Sequence, residues 1–175
     1  MKYNLYQNKY RIPSARLQNW DYRSAAPYFV TICSKNREHI FGEIENGKMI
    51  LNDLGKQAGQ YLININIYTD YANVVNFVIM PNHVHAIIEL KNRTKEHKPN
   101  KFGPLLKKSL SSILNHYKGR VTRYANENNL PAGWQALFND HIIRDMDEYK
   151  RVFDYITDNP KNWKTDKFND TNYKQ

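Results

Sequence analysis

Apolar and polar positions along the chain change period several times, and each period names an element. Tyr28-Phe-Val-Thr-Ile-Cys33 is a β-branched and aromatic run, which predicts a buried strand. Ile40 to Ile44 and Lys48 to Leu51 flank Glu45-Asn46-Gly47, whose Asn-Gly pair signals a hairpin turn. Asn52 and Asp53 are suited to capping a helix through about Ile63, with Leu54, Ala58 and Leu62 on one buried face. Val74 to Met80 and His83 to Leu90 read as two strands joined at Met80-Pro81-Asn82, an antiparallel hairpin. A long helix is predicted from Pro104 to Asn126, with Leu106, Leu110, Ile113, Tyr117, Val121 and Tyr124 as its apolar stripe. Trp134 to Phe138 leads to a short strand, Asp140 to Arg144. A last helix, Asp145 to Asp158, stops at Asn159-Pro160, because the residue before proline disfavours the helical region. Strands and helices mix without strict βαβ alternation, which predicts an α+β layer: an antiparallel sheet with helices packed on it.

Around these elements lie a polar arm (1–25), a charged loop (91–103) and a polar tail (161–175), and 175 residues fit one domain. No run reaches the ~18 apolar residues of a membrane span, and MKYNLYQNKY lacks a signal-peptide apolar region. The lone cysteine, Cys33, excludes an intramolecular disulfide framework and a multi-cysteine metal site, and reads as a small core residue. A cytoplasmic chain is the expectation.

Charge sharpens this. The chain carries 26 Lys+Arg against 17 Asp+Glu, a net +9. Ten of the basic residues but only one acid, Glu96, fall between Lys91 and Arg123, so the whole excess sits in that stretch. Such a block attracts polyanions, since each phosphate it neutralises releases counterions. Lys107, Lys108, Lys118, Arg120 and Arg123 are its candidate DNA contacts. The absence of a phosphate-cradling Gly-rich loop argues against a P-loop nucleotide enzyme.

Two patterns carry candidate chemistry. His83 and His85 are one residue apart on a strand, so both imidazoles project from one face, where they are either polar decoration or two ligands of one divalent ion. Among 13 tyrosines, helical period separates two on the last helix. Tyr149 falls with Val152, Phe153 and Ile156 on the apolar face. Tyr155 lies roughly 120° away, with Glu148, Arg151 and Asn159 on the polar face. It is either a surface tyrosine or a nucleophile, with Asn159 one turn on. His141 reads as a sheet-edge hydrogen-bonding or DNA-contacting residue.

In their order along the chain, Tyr28 to Cys33, Met80-Pro-Asn-His-Val-His85, Trp134-Gln135, Asp140 to Arg144, Tyr149 and Tyr155-Ile-Thr-Asp-Asn-Pro160 cover most of residues 20–165. This set resembles the single-tyrosine HUH transposases of small bacterial insertion sequences, and more closely their REP-associated relatives, the RAYT proteins. The resemblance implies a ferredoxin-like α+β fold and cleavage and rejoining of single-stranded, hairpin-bearing DNA through a 5′-phosphotyrosine. By position it makes His83, His85 and Asn159 ligands of Mg2+ or Mn2+, and Tyr155 the nucleophile. It sets Arg11 and Arg16 beside a guide sequence and Arg151 near the phosphate. Insertion-sequence members act as homodimers and REP-associated members can act alone, so both states stay open. The alternative is a non-catalytic nucleic-acid-binding regulator on the same scaffold.

Overall fold

In the computed structural model, residues 20–91 and 108–169 are described. β1 (Pro27–Cys33) is followed by the hairpin β2 (Gly42–Glu45) and β3 (Lys48–Leu51), then helix α1 (Asp53–Tyr68). β4 (Ala72–Ile79), β5 (His83–Leu90), α2 (Leu110–Glu127), β6 (Asn139–Ile142) and α3 (Met146–Asp158) complete the order. The four long-paired strands lie in the order β4-β5-β1-β6, every neighbour antiparallel. With β2-β3 set aside as an insertion, β1-α1-β4-β5-α2-β6 is the ferredoxin-like arrangement expected from the family resemblance.

Local chemistry explains most element ends. Asn46 and Gly47 both take positive φ, 50° and 73°, the primed turn that an Asn-Gly hairpin needs. Asn52 caps α1, its side-chain oxygen accepting from the Gly55 N–H at 2.9 Å. Gly55 is obligatory there: a Cβ would sit 2.2 Å from the Phe41 carbonyl oxygen. Asp145 caps α3 in the same way, accepting from the Glu148 N–H at 2.8 Å. The long helix begins later than expected. Ser109 is extended and forms a capping box with Ser112, so α2 starts at Leu110 rather than Pro104. Leu106 lies outside the described residues.

The alternation of β1 and β5 divides the molecule. Tyr28, Val30 and Ile32, with Val84, Ala86 and Ile88, face a large core that α1 and α2 close with Leu54, Ala58, Leu62, Leu110, Leu114 and Tyr117. On the other face Ile87, Ile143 and Ile156 form a small core under α3, with Phe29, Val78, Tyr149 and Val152 against it. A bulge between Val74 and Asn76 shifts the register of β4, so that Val74 and Phe77 both reach the large core. Phe153 departs from expectation: it is 38% exposed, because the short α3 has only a narrow strip of sheet to cover.

Candidate functional site

The face of β5 under α3 carries His83 and His85, both essentially without solvent exposure. Their neighbours come from three parts of the chain. From β1, Thr31 lies opposite His85 in the antiparallel register, and its hydroxyl oxygen is 2.8 Å from His85 Nδ1. From the β4–β5 turn, Asn82 Oδ1 is 2.8 Å from His83 Nδ1. From α3, the Tyr155 hydroxyl stands 3.4 Å from His85 Nε2. Asn159 closes the group. It keeps helical angles (φ −54°, ψ −43°) despite the proline that follows, so its side chain continues the α3 face that carries Tyr155.

A fourth contributor comes from beyond α3. Asp166 Oδ2 accepts from Asn159 Nδ2 at 2.9 Å, and Asp166 Oδ1 accepts from the Phe168 N–H at 2.7 Å. The Phe168 ring centroid lies 4.6 Å from that of His83 and 5.6 Å from that of His85. Arg37 and Lys167 stand over the Phe168 ring at 5.3 and 5.0 Å, and Arg37 Nη1 donates to the Lys167 carbonyl at 3.2 Å. The polar tail therefore roofs the histidines through residue 169.

The electrostatics suit neutral imidazoles. Burial pushes His83 down to about 4, with Asp166 pulling the other way and Arg37 adding to the shift. His85 is driven well below its ordinary value, first by burial and then by His83. Tyr155 is pushed up to about 12 by burial and by the Asp166 charge, opposed by Asn159 beside its hydroxyl. A neutral imidazole keeps one N–H and offers one nitrogen lone pair.

Those lone pairs fit a cation. Among the described residues His83 Nε2 and Asn159 Oδ1 are both buried without a hydrogen-bond partner, which is rare enough to demand an explanation. Ligand atoms of His83, His85 and Asp166 lie within 4.8 Å of one another. Imidazole nitrogen with amide or carboxylate oxygen is a donor set for a divalent ion of the Mn2+ or Mg2+ kind. Asp166 was missed in the sequence because nothing local marks it: one aspartate in a polar tail, brought in by the chain turning back after Pro160.

The expected DNA contacts are dispersed. Lys108, Arg120 and Arg123 belong to the α2 side, on the opposite face of the sheet from the histidines, although the basic block flanks the histidine strand in sequence. Arg120 is held over the rings of Tyr61 and Tyr68, at 4.6 and 4.9 Å. Arg123 pairs with Glu127 at 2.8 Å. Lys118 corrects the expectation: it is buried, and its ammonium donates to the Gln135 carbonyl at 2.8 Å. Arg151 is exposed on α3, one turn before Tyr155. Arg11, Arg16, Lys107 and most of the 91–103 loop lie outside the described residues. Tyr149 is turned to the sheet, donating to Glu89 Oε1 at 3.1 Å. His141 pairs with Glu148 at 2.7 Å on the sheet edge.

No protein-family model matches the chain. An uncharacterized protein of Haemophilus influenzae is 38% identical over 165 residues, spanning 87% of this chain and 90% of its own. The chain belongs to one family with that protein. Among solved structures, a REP-associated tyrosine transposase bound to a REP hairpin superposes with a TM-score of 0.53, at 20% identity, over 78% of this chain and 67% of the other. At that identity the likeness is one of fold: the two share the antiparallel sheet with its packed helices. Among the described residues no helix is long and apolar enough to cross a membrane.

Proposed function

We propose that the chain is a metal-dependent, single-tyrosine DNA strand transferase of the HUH type, close to the REP-associated transposases. It would cleave and rejoin single-stranded DNA next to hairpins. The observation that carries this reading is the Tyr155 hydroxyl, partly exposed on α3, at 3.4 Å from one of two buried, neutral histidines. His83, His85 and Asn159, with Asp166 beside them, are the residues that would hold the ion. A divalent cation held by them would supply positive charge against the scissile phosphate.

The rest is the chain's own work. Phe29, at 5.9 Å and edge-on to the Tyr155 ring, fixes the phenol's position over the histidines. Tyr155 Oη attacks phosphorus in line; the Tyr–O–P bond forms as the P–O3′ bond breaks. The phenol gives up its proton and the departing 3′-oxygen takes one up, leaving a 5′-phosphotyrosine and a free 3′-hydroxyl. The number of phosphate ester bonds is unchanged, so rejoining needs no nucleotide cofactor. Arg151 lies on the same helix, one turn away, to meet the approaching backbone. Lys108, Arg120 and Arg123 would engage DNA on the far side of the sheet. Histidines, asparagine and tyrosine all come from one chain, which supports action as a single copy.

Labelled hairpin single-stranded DNA, incubated with the protein and Mg2+ or Mn2+ and run under denaturing conditions, tests the reading. A denaturation-resistant adduct is expected from the wild type and none from Tyr155→Phe, with DNA binding retained. An adduct that survives in Tyr155→Phe means another tyrosine reacts. Binding without an adduct on any hairpin points instead to a non-catalytic regulator.

A further inference from the structure

We propose that Asp166 and Phe168 set which atoms of Asn159 and His83 face the ion, and that Asp166 is a positioning residue of the metal centre. This rests on the divalent-ion reading above and assigns what aims its ligands.

The geometry is decided by donors and acceptors. An ionised carboxylate only accepts hydrogen bonds, so an amide facing it must present its NH2 end. Asp166 Oδ2 accepts from Asn159 Nδ2 at 2.9 Å, while its other oxygen accepts from the Phe168 N–H at 2.7 Å. Turning the Asn159 amide over would aim an oxygen at a carboxylate. Asn159 Oδ1 is therefore held on the other side, buried and unpartnered.

The same segment acts on His83 through Asn82. The Phe168 carbonyl only accepts, and it takes Asn82 Nδ2 at 2.8 Å. That turns Asn82 Oδ1 towards His83 Nδ1, at 2.8 Å, so Nδ1 carries the proton and donates. The lone pair is left on Nε2, which is buried with no hydrogen-bond partner among the described residues. Leaving buried acceptors bare is costly. A cation held between them would satisfy both, and the Asp166 carboxylate, with ligand atoms of both histidines within 4.8 Å, would favour it over neutral water. Asp166 and Phe168 thus leave two acceptors aimed inward and close the routes by which either could reverse.

Mn2+ alone, titrated into the full chain without DNA and followed by the paramagnetic signal of the free ion, tests this apart from cleavage. Asp166→Ala is expected to weaken Mn2+ binding on the order of 10- to 100-fold, and Asn159→Ala by a comparable factor. The double variant should lose clearly less than the sum of the two single losses, because Asp166 acts in large part through Asn159. Additive losses make Asp166 an independent ligand and overturn the positioning role, as does an Asp166→Ala chain that binds like the wild type.

The exchange Asn159→Asp with Asp166→Asn keeps shape and net charge, and again pairs one NH2 with one carboxylate. It is expected to restore the binding that Asp166→Asn loses. An exchanged chain with wild-type circular dichroism that binds as weakly as Asp166→Asn overturns the proposal. A wild type that binds no Mn2+ overturns the divalent-ion reading along with this one. Loss of the DNA adduct with Mn2+ binding intact concerns the nucleophile alone.

Discussion

At the scale of single residues, the site depends on side chains whose importance comes from what they leave bare. Thr31 is such a residue. Its hydroxyl lies 2.8 Å from His85 Nδ1, and by accepting from the Nδ1 proton it would leave the Nε2 lone pair facing Tyr155. Valine has nearly the same shape and no acceptor, so Thr31→Val frees the ring to change tautomer or rotate. Mn2+ affinity is expected to fall roughly tenfold, up to about a hundredfold, with little change in melting temperature. Calorimetric titration in parallel with a thermal melt separates the two; an unchanged affinity shows that Thr31 does not orient His85. The two tyrosines of α3 make the same point in reverse. Tyr149 donates to Glu89 and packs on the small core, while Tyr155 is 39% exposed with its hydroxyl at the histidines.

At the scale of the element, α3 is the helix that carries Tyr155, the proposed nucleophile, and its start is built from charge. Asp145 caps it, and Glu148 ties the first turn to the preceding strand by accepting from the Arg144 N–H at 2.8 Å and pairing with His141. The Arg144 N–H, then His141, holds the Glu148 carboxyl below its usual value. A depressed folded-state pKa stabilises the native state above the unfolded value, near ~4.3, and that contribution is lost as pH falls through the lower folded value. Melting temperature should therefore drop between about pH 5 and pH 3 more steeply in the wild type than in Glu148→Gln. Parallel slopes for the two chains in thermal melts rule out this tether. Helix α1 relies on close approach instead, with Gly55 set against the Phe41 carbonyl. Propensity alone would not have chosen glycine in a first turn.

For the whole molecule, the decisive fact is that the sheet separates two surfaces. Tyr155 and the histidines lie on one face; the cations of α2 lie on the other, behind the large core. Chemistry and much of the DNA affinity should then be separable. Arg120→Ala with Arg123→Ala is expected to lower hairpin-DNA affinity and flatten its salt dependence by ~0.7–0.9 per lost phosphate contact, leaving Mn2+ binding unchanged. Lys118→Ala should do the opposite. It strands the Gln135 carbonyl, costing about 1–3 kcal/mol of stability, and leaves the salt slope alone. Filter binding at several salt concentrations, alongside thermal melts, checks both, and a salt slope that moves with Lys118 returns that residue to the DNA surface.

How much of this was legible in the sequence follows from the range of the forces involved. Period, capping and turn chemistry act over a few residues, so the α+β class, the Asn-Gly hairpin, the cap at Asn52 and the shared face of His83 and His85 could all be read from order alone. So could the separation of Tyr155 from Tyr149, a matter of angle around one helix. Within that range, Ser109 overruled the apolar stripe at the start of α2, because a capping box satisfies amides that an apolar residue cannot. What order could not supply is pairing across distance. That β1 lies beside β5, setting Thr31 against His85, depends on which buried faces fit each other. That Lys118 turns inward and Asp166 reaches Asn159 depends on where the chain returns after Pro160, and only the folded chain brings a buried charge to the atoms that need it.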